Sequence, residues 1–239
     1  MISVDKKIRL LNGSWSFSSK GLSESFAEHI KKSIPAYTQG HELICELSDF
    51  FIHPHSKSKV YDLGCSVGEL TKKIAQRHKK KDLTVIGFDR EEQMIEKSKE
   101  NTLDLEKITF LCQNFLDYSF KEANLFISYY TLQFLSLKER KQILTIAYKA
   151  LKEGGAFIVF EKVLETDAFE QDIFSNIYHS FKLSHNFSAN EIIAKEQSLK
   201  GVMKLQTREE NFKMFRESGF RKTTLLMKNL HFEGYLLRK

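Results

Sequence analysis

The chain has no long apolar run, few cysteines and almost no proline, and each shortage narrows what it can be. Nowhere among its 239 residues does it approach the roughly 20 consecutive apolar side chains of a membrane span, and the N-terminus lacks the apolar centre of a secretion signal. A soluble, cytoplasmic protein is expected. The three cysteines, Cys45, Cys65 and Cys112, are an odd number without metal-ligand or redox spacing, which predicts reduced thiols and no bound metal. The two prolines, Pro35 and Pro54, both read as breakers ahead of the first strand. Internal repeats and low-complexity linkers are also missing, so residues 1–239 are expected to form one mixed α/β domain.

What is present supports a substantial core: 41% of the residues are hydrophobic. The formal charge of +6 favours contact with anions without identifying one. Its densest cluster, Lys79-Lys80-Lys81, falls where a helix ends before a strand. Lysines in a last turn offset the helix dipole, so this cluster reads as a solvated helix end and direct nucleic-acid binding is not expected.

The organising stretch is Lys59 to Gly68. Val60, Tyr61 and Leu63 read as a buried strand, and Gly64 and Gly68 allow a sharp turn with close approach to a ligand. Cys65 in that turn reads as a small buried residue rather than a nucleophile. A helix over Glu69–His78 follows, then a second strand over Leu83–Asp89 that ends in an acid. Strand, glycine turn, helix, strand and acid is the arrangement that binds the nucleoside part of a cofactor.

Two helices precede this unit, over Ser23–Ser33 with a serine cap and over Gln39–Phe51. Trp15 and Phe17 mark an arm packed on the body. Further helices are predicted over Glu91–Asn101 and Leu137–Leu151, the latter stopped by Gly154-Gly155, with strands at Ile108–Cys112, Asn124–Tyr129 and Ala156–Phe160. Five strands separated by helices predict a parallel sheet wound on both faces. A largely helical insertion occupies Thr166–His185 and Ala189–Leu199, followed by a helix over Thr207–Ser218 with Gly219 as its stop. The runs Lys222–Leu230 and Phe232–Leu237 then predict an antiparallel hairpin at the sheet edge.

The turn Gly64-Cys65-Ser66-Val67-Gly68 carries serine where a dinucleotide fingerprint has its middle glycine. With Asp89 and the terminal hairpin, the chain resembles the S-adenosylmethionine-dependent methyltransferases of the Rossmann-like class I fold. That resemblance implies a mostly parallel seven-stranded sheet with a C-terminal antiparallel hairpin, a helical cap over 1–57 and a helical insertion over 164–205. It implies that Asp62, Gly64, Ser66 and Gly68 line the methionine side of S-adenosylmethionine. Asp89, with Arg90 beside it, takes the ribose, and Asn114 and Phe115 meet the adenine. On their own, Asp62 also reads as a helix cap and Asn114 as a turn residue.

Four stretches narrow the resemblance: Ser33-Ile-Pro-Ala-Tyr37, Val60 to Ser66, Thr131-Leu-Gln-Phe-Leu135 and Phe160-Glu-Lys162. From about Trp15 to the C-terminus the chain is similar to the carboxy-S-adenosylmethionine synthases, a bacterial family that makes a carboxymethyl donor for a tRNA wobble uridine. The resemblance implies a homodimer whose insertion, Thr166–Leu205, reaches the partner's active site, with Tyr37 on the donor's added carboxylate. Three positions depart from the family pattern. Glu196 stands where an arginine holds the extra carboxylate, Tyr129 replaces an asparagine and Asn114 an aspartate. A glutamate repels a carboxylate, and the neighbouring Lys195 and Lys200 lack the arginine fork.

The leading expectation is therefore an S-adenosylmethionine-dependent methyltransferase acting on a small-molecule acceptor. Its catalytic candidates are Tyr37, Tyr129, Tyr130 and, contributed by the partner, His179, with Tyr178 and His185 as further pocket candidates from the partner. The alternatives are a carboxy-S-adenosylmethionine synthase using prephenate, and so carrying carboxy-S-adenosylmethionine, and a non-catalytic protein that binds S-adenosylmethionine.

Overall fold

The computed structural model describes residues 21–53 and 56–239. The expected arm at Trp15 and Phe17 and the break at Pro54 lie outside the described residues.

The first helices are α1 (Leu22–Ser33) and α2 (Tyr37–Ser48). Ser23 does not cap α1 as expected. The helix begins one residue earlier, behind Gly21 at φ 79°, which puts Ser23 inside the first turn. Next come β1 (Ser58–Leu63), α3 (Glu69–Arg77), β2 (Leu83–Asp89), α4 (Glu92–Glu100) and β3 (Ile108–Cys112). The parallel part ends with β4 (Ala123–Tyr129), α5 (Leu137–Ala150) and β5 (Leu151–Lys162).

Within the strands, neighbouring residues go to opposite faces, and both faces are covered. Val60, Val85, Leu125, Ile127 and Ile158 join Ile44 of α2 and Leu70 and Ile74 of α3 in one core layer. Tyr61, Ile86, Phe88, Phe126 and Phe157 join Ile143, Leu144 and Ala147 of α5 in the other.

Gly154-Gly155 does not stop α5. The helix ends at Ala150, Leu151 is already extended (φ −68°, ψ 138°), and both glycines lie inside the longer β5. The β4–β5 pairing shifts register between Ala123 and Leu125, so the glycines serve an irregular strand rather than a helix end.

After β5 the insertion forms α6 (Ala168–Ser184) and α7 (Ala189–Leu199), followed by α8 (Arg208–Glu217). Side chains start each of the three. Asp167 accepts from the N–H groups of Phe169 and Glu170, and Ser188–Glu191 and Thr207–Glu210 form capping boxes. The hairpin is β6 (Lys222–Asn229) and β7 (Phe232–Arg238). The seven strands run β3-β2-β1-β4-β5-β7-β6, with β7 antiparallel to both neighbours.

The insertion lies back on its own chain. The Tyr178 hydroxyl donates to the Ser33 carbonyl at 2.8 Å, and the Lys204 N–H donates to the Gln133 carbonyl at 2.8 Å. Beneath it Arg140, buried to 1% exposure, pairs with equally buried Glu161 at 3.1 Å and donates to the Lys204 carbonyl at 2.7 Å. No helix among the described residues is long and apolar enough to cross a membrane.

Candidate active site

The strand order reverses between β1 and β4, which opens a crevice beyond the strands' C-terminal ends. A cavity of about 320 Å³ sits there, walled by Asp62, Gly64, Ser66, Asp89, Tyr129 and Tyr130 among others.

The glycine turn and the acid 23 residues later form one unit. Asp89 Oδ2 accepts from the Ser66 N–H at 2.9 Å and Oδ1 from the Glu91 N–H at 3.0 Å. Each oxygen keeps a lone pair for a further donor, as a ribose diol requires. Ser66 reaches this position at φ 50° between Gly64 at φ 80° and Gly68 at φ 78°. At Gly64 a Cβ would stand 2.2 Å from Thr131 Oγ1, so side chains are excluded there by contact as well as by φ. Burial raises the Asp89 carboxyl above its ordinary range, opposed by the backbone N–H groups that it accepts. Asp62 is pushed up to about 6 by burial, opposed by the Thr71 hydroxyl that donates to it at 2.6 Å. Asp62 therefore braces α3 through a side chain in its first turn and does not cap it.

The residues expected around a cofactor converge on this cavity. Tyr37, Asp62, Gly64, Ser66, Asp89, Arg90, Asn114, Phe115 and Tyr129 all line it. Gly68 stands behind the turn, where a Cβ would meet Phe110 and Ser98 at 2.9 Å. Asn114 also starts a 3-10 turn, with its side chain accepting from the Leu116 N–H at 3.1 Å. Cys65 is buried, and burial raises its thiol well above the ordinary value, which leaves it unreactive.

One end of the cavity is aromatic. Tyr37, His41 and Tyr129 lie with ring centroids 4.6–4.9 Å apart, and Tyr130 is 4.7 Å from Tyr129. The Tyr129 hydroxyl donates to the Tyr37 carbonyl at 2.6 Å, a path that exists because residue 40 is glycine. The Tyr130 hydroxyl is buried without a partner among the described residues, and its backbone is left-handed at φ 60°. His41 was not singled out from the sequence. Burial, reinforced by Lys73 and Lys31, lowers it to about 3, so it is a neutral imidazole.

A second cavity of about 420 Å³ adjoins the first. Both are bounded by Phe26, Ile30, Ile34, Gln133 and Phe134. Tyr178, His179, Glu196, Lys195 and Lys200 line the second cavity, whereas His185 lies tilted against Phe181, with ring centroids 4.1 Å apart, and lines neither. His179 Nε2 lies 2.6 Å from Glu196 Oε1. Lys162 and Lys182 lie 4.9 and 4.2 Å from the Tyr178 ring centroid, and burial lowers the Lys162 ammonium, partly offset by Glu196. Gln133 joins the two spaces. Its Oε1 accepts from the Lys162 N–H at 2.8 Å, and its Nε2 lies 3.5 Å from Met203 Sδ. Among the described residues no group of His, Cys, Asp and Glu is arranged to hold a metal ion.

Residues 60–155 match the methyltransferase domain family. The chain is 32% identical over 225 residues to the carboxy-S-adenosyl-L-methionine synthase of Staphylococcus epidermidis, covering 94% of this chain and 97% of that protein. It is also similar in structure to human N-acetylserotonin methyltransferase in complex with S-adenosylmethionine. There the TM-score is 0.62 and the identity 18%, over 92% of this chain and 56% of that one. Magnesium protoporphyrin IX methyltransferase of Synechocystis, with bound S-adenosylhomocysteine, gives a TM-score of 0.59 at 14% identity, over 87% and 86% of the two chains. These structural likenesses establish the class I methyltransferase fold.

Proposed function

The chain belongs to the carboxy-S-adenosyl-L-methionine synthase family of S-adenosylmethionine-dependent transferases, and we propose that it transfers the methyl group of S-adenosylmethionine to a small-molecule acceptor. One observation carries this choice of reaction. Glu196, at the position where the family resemblance implies a carboxylate-holding arginine, is an acid committed to His179 at 2.6 Å.

In this reading Asp89 holds the ribose through the lone pairs that Ser66 and Glu91 leave open, with Arg90 beside it. Asp62, Gly64 and Ser66 border the methionine portion, Gly68 shapes the turn from behind, and Asn114 and Phe115 border the adenine. Bound there, S-adenosylmethionine supplies a methyl group already made electrophilic by its sulfonium. The chain's own task is orientation and exclusion of water. Among the described residues Asp62, Glu69, Asp89 and Glu91 line the first cavity against Arg90 as the single cation, a balance that favours a positively charged ligand. Tyr37, His41, Tyr129 and Tyr130 close its aromatic end with neutral faces.

The family match itself favours a second reading, synthesis of carboxy-S-adenosylmethionine with prephenate as carboxyl source. In that reading Lys162, Lys195 or Lys200 would replace the arginine, as single charges without its fork.

We also propose that the protein is a homodimer joined through α6. Phe169, Ile173 and Ile177, four residues apart, leave an apolar stripe exposed on that helix, and Ile193 of α7 is exposed as well.

Mass spectrometry of the ligand carried by the purified protein tests the reaction. S-adenosylmethionine or S-adenosylhomocysteine is expected. A carboxylated cofactor, or its formation on incubation with prephenate, would overturn methyl transfer in favour of the second reading.

A further inference from the structure

The second cavity holds a pairing that donor binding leaves unused. His179 on α6 and Glu196 on α7 meet across it at 2.6 Å, and both side chains are about 40% exposed. Two helices have to dock to make this contact. With Nε2–H donated to the carboxylate, the Nδ1 lone pair remains, and Nδ1 has no partner among the described residues. An imidazole oriented by an acid, with its other nitrogen open, is the arrangement of a general base.

The surroundings specify what it would deprotonate. Phe26, Ile30, Ile34, Phe134, Ile192 and Phe232 give the cavity an apolar lining suited to a ring or chain of similar character. Lys162 makes no ion pair with any described residue and is held over the faces of Tyr178 and Phe232. A desolvated ammonium in that setting favours an oxyanion nearby. The cavity also shares a wall with the one assigned to the donor.

Resting on the methyl-transfer reading, we propose that the second cavity is the acceptor site and takes an apolar hydroxyl compound, typified by a phenol, with His179 as general base and Glu196 as its positioning residue. The acceptor's O–H proton passes to His179 Nδ1. The oxygen's electron pair forms the bond to the methyl carbon, and the carbon–sulfur pair returns to sulfur. The products are a methyl ether, S-adenosylhomocysteine and an imidazolium that gives its proton to solvent. Glu196 stabilises that imidazolium and fixes the tautomer.

The test uses 4-nitrophenol, whose anion absorbs visible light, titrated with the full-length protein in the presence of S-adenosylhomocysteine. Bound probe is expected to ionise about one to two pH units below free probe. His179→Gln is expected to lose most of that shift, and Glu196→Gln about half of it. The pH range has to be read against the other charged groups on this cavity, His29, Lys162, Lys182, Glu191, Lys195 and Lys200, which the two variants leave in place. Equal ionisation in wild type and both variants, or no binding of the probe, would overturn the assignment. Calorimetry with S-adenosylmethionine on the same samples separates the two claims. Loss of donor binding in the wild type defeats the methyl-transfer reading, whereas intact donor binding with a silent probe defeats only the acceptor site.

Discussion

Gly40 is the fourth residue of α2, and within a helix alanine is ordinarily about 1 kcal/mol better than glycine. Here the opposite is expected. A Cβ at residue 40 would stand 2.2 Å from Tyr129 Oη, 3.0 Å from Cζ and 3.1 Å from Cε2. The ring has little room to yield, since Tyr37, His41, Tyr130 and Phe160 surround it with centroids 4.6–4.9 Å away. Overpacking of this kind costs about 1–3 kcal/mol, and losing the hydroxyl bond to the Tyr37 carbonyl adds about 1 kcal/mol. Set against the helix preference, Gly40→Ala should lose about 1–3 kcal/mol net, or about 2–4 °C of melting temperature per kcal/mol. Urea unfolding measures this as a lower midpoint at unchanged slope. In a Tyr129→Phe background the closest contact and the hydroxyl bond are both absent, so the same substitution should cost about 1 kcal/mol less. If Gly40→Ala is as stable as the parent, Tyr129 does not fill the space described here.

Asp89→Ala should weaken S-adenosylmethionine binding by about two orders of magnitude, since each charged hydrogen bond is worth about 1.5–3 kcal/mol; unchanged affinity by calorimetry would show the ribose lies elsewhere. His41 has its pKa lowered to about 3, so the unfolded chain binds a proton there below about 6.5 that the folded chain refuses. Its contribution to stability is therefore complete above that pH and is lost as the pH falls from 6.5 towards 3. His41→Phe should flatten the measured acid loss over that window, and parallel curves for the two proteins would contradict this. Arg140→Met should cost about 3–5 kcal/mol in urea unfolding by leaving Glu161 buried and unpaired, and a loss below 1 kcal/mol would mean that the network carries little.

Much of the sheet was legible because the strands alternate between two buried faces and the helices between them keep their own period. The turn at Gly64 and the acid at Asp89 were legible as a spacing, although the bond from the Ser66 N–H that unites them was not. Gly154-Gly155 misled because glycines after a helix commonly stop it, whereas here they fall in a strand with a shifted register. His41 gave no signal, since a histidine inside an amphipathic helix looks the same whether it faces solvent or two tyrosine rings. The contact between His179 and Glu196 depends on how α6 docks on α7, which no local pattern encodes.

Gln133 touches both cavities, holds the end of β5 through Lys162 and grips the insertion through Met203 and Lys204. A molecule that settles this side chain from one cavity therefore does part of the ordering needed in the other. Such coupling favours an ordered sequence of arrival, with the first ligand preparing the wall against which the second rests. It also has to work in reverse. Whatever factor by which a ligand in the first cavity tightens the second, a ligand in the second returns to the first, since the coupling is one free energy seen from two ends.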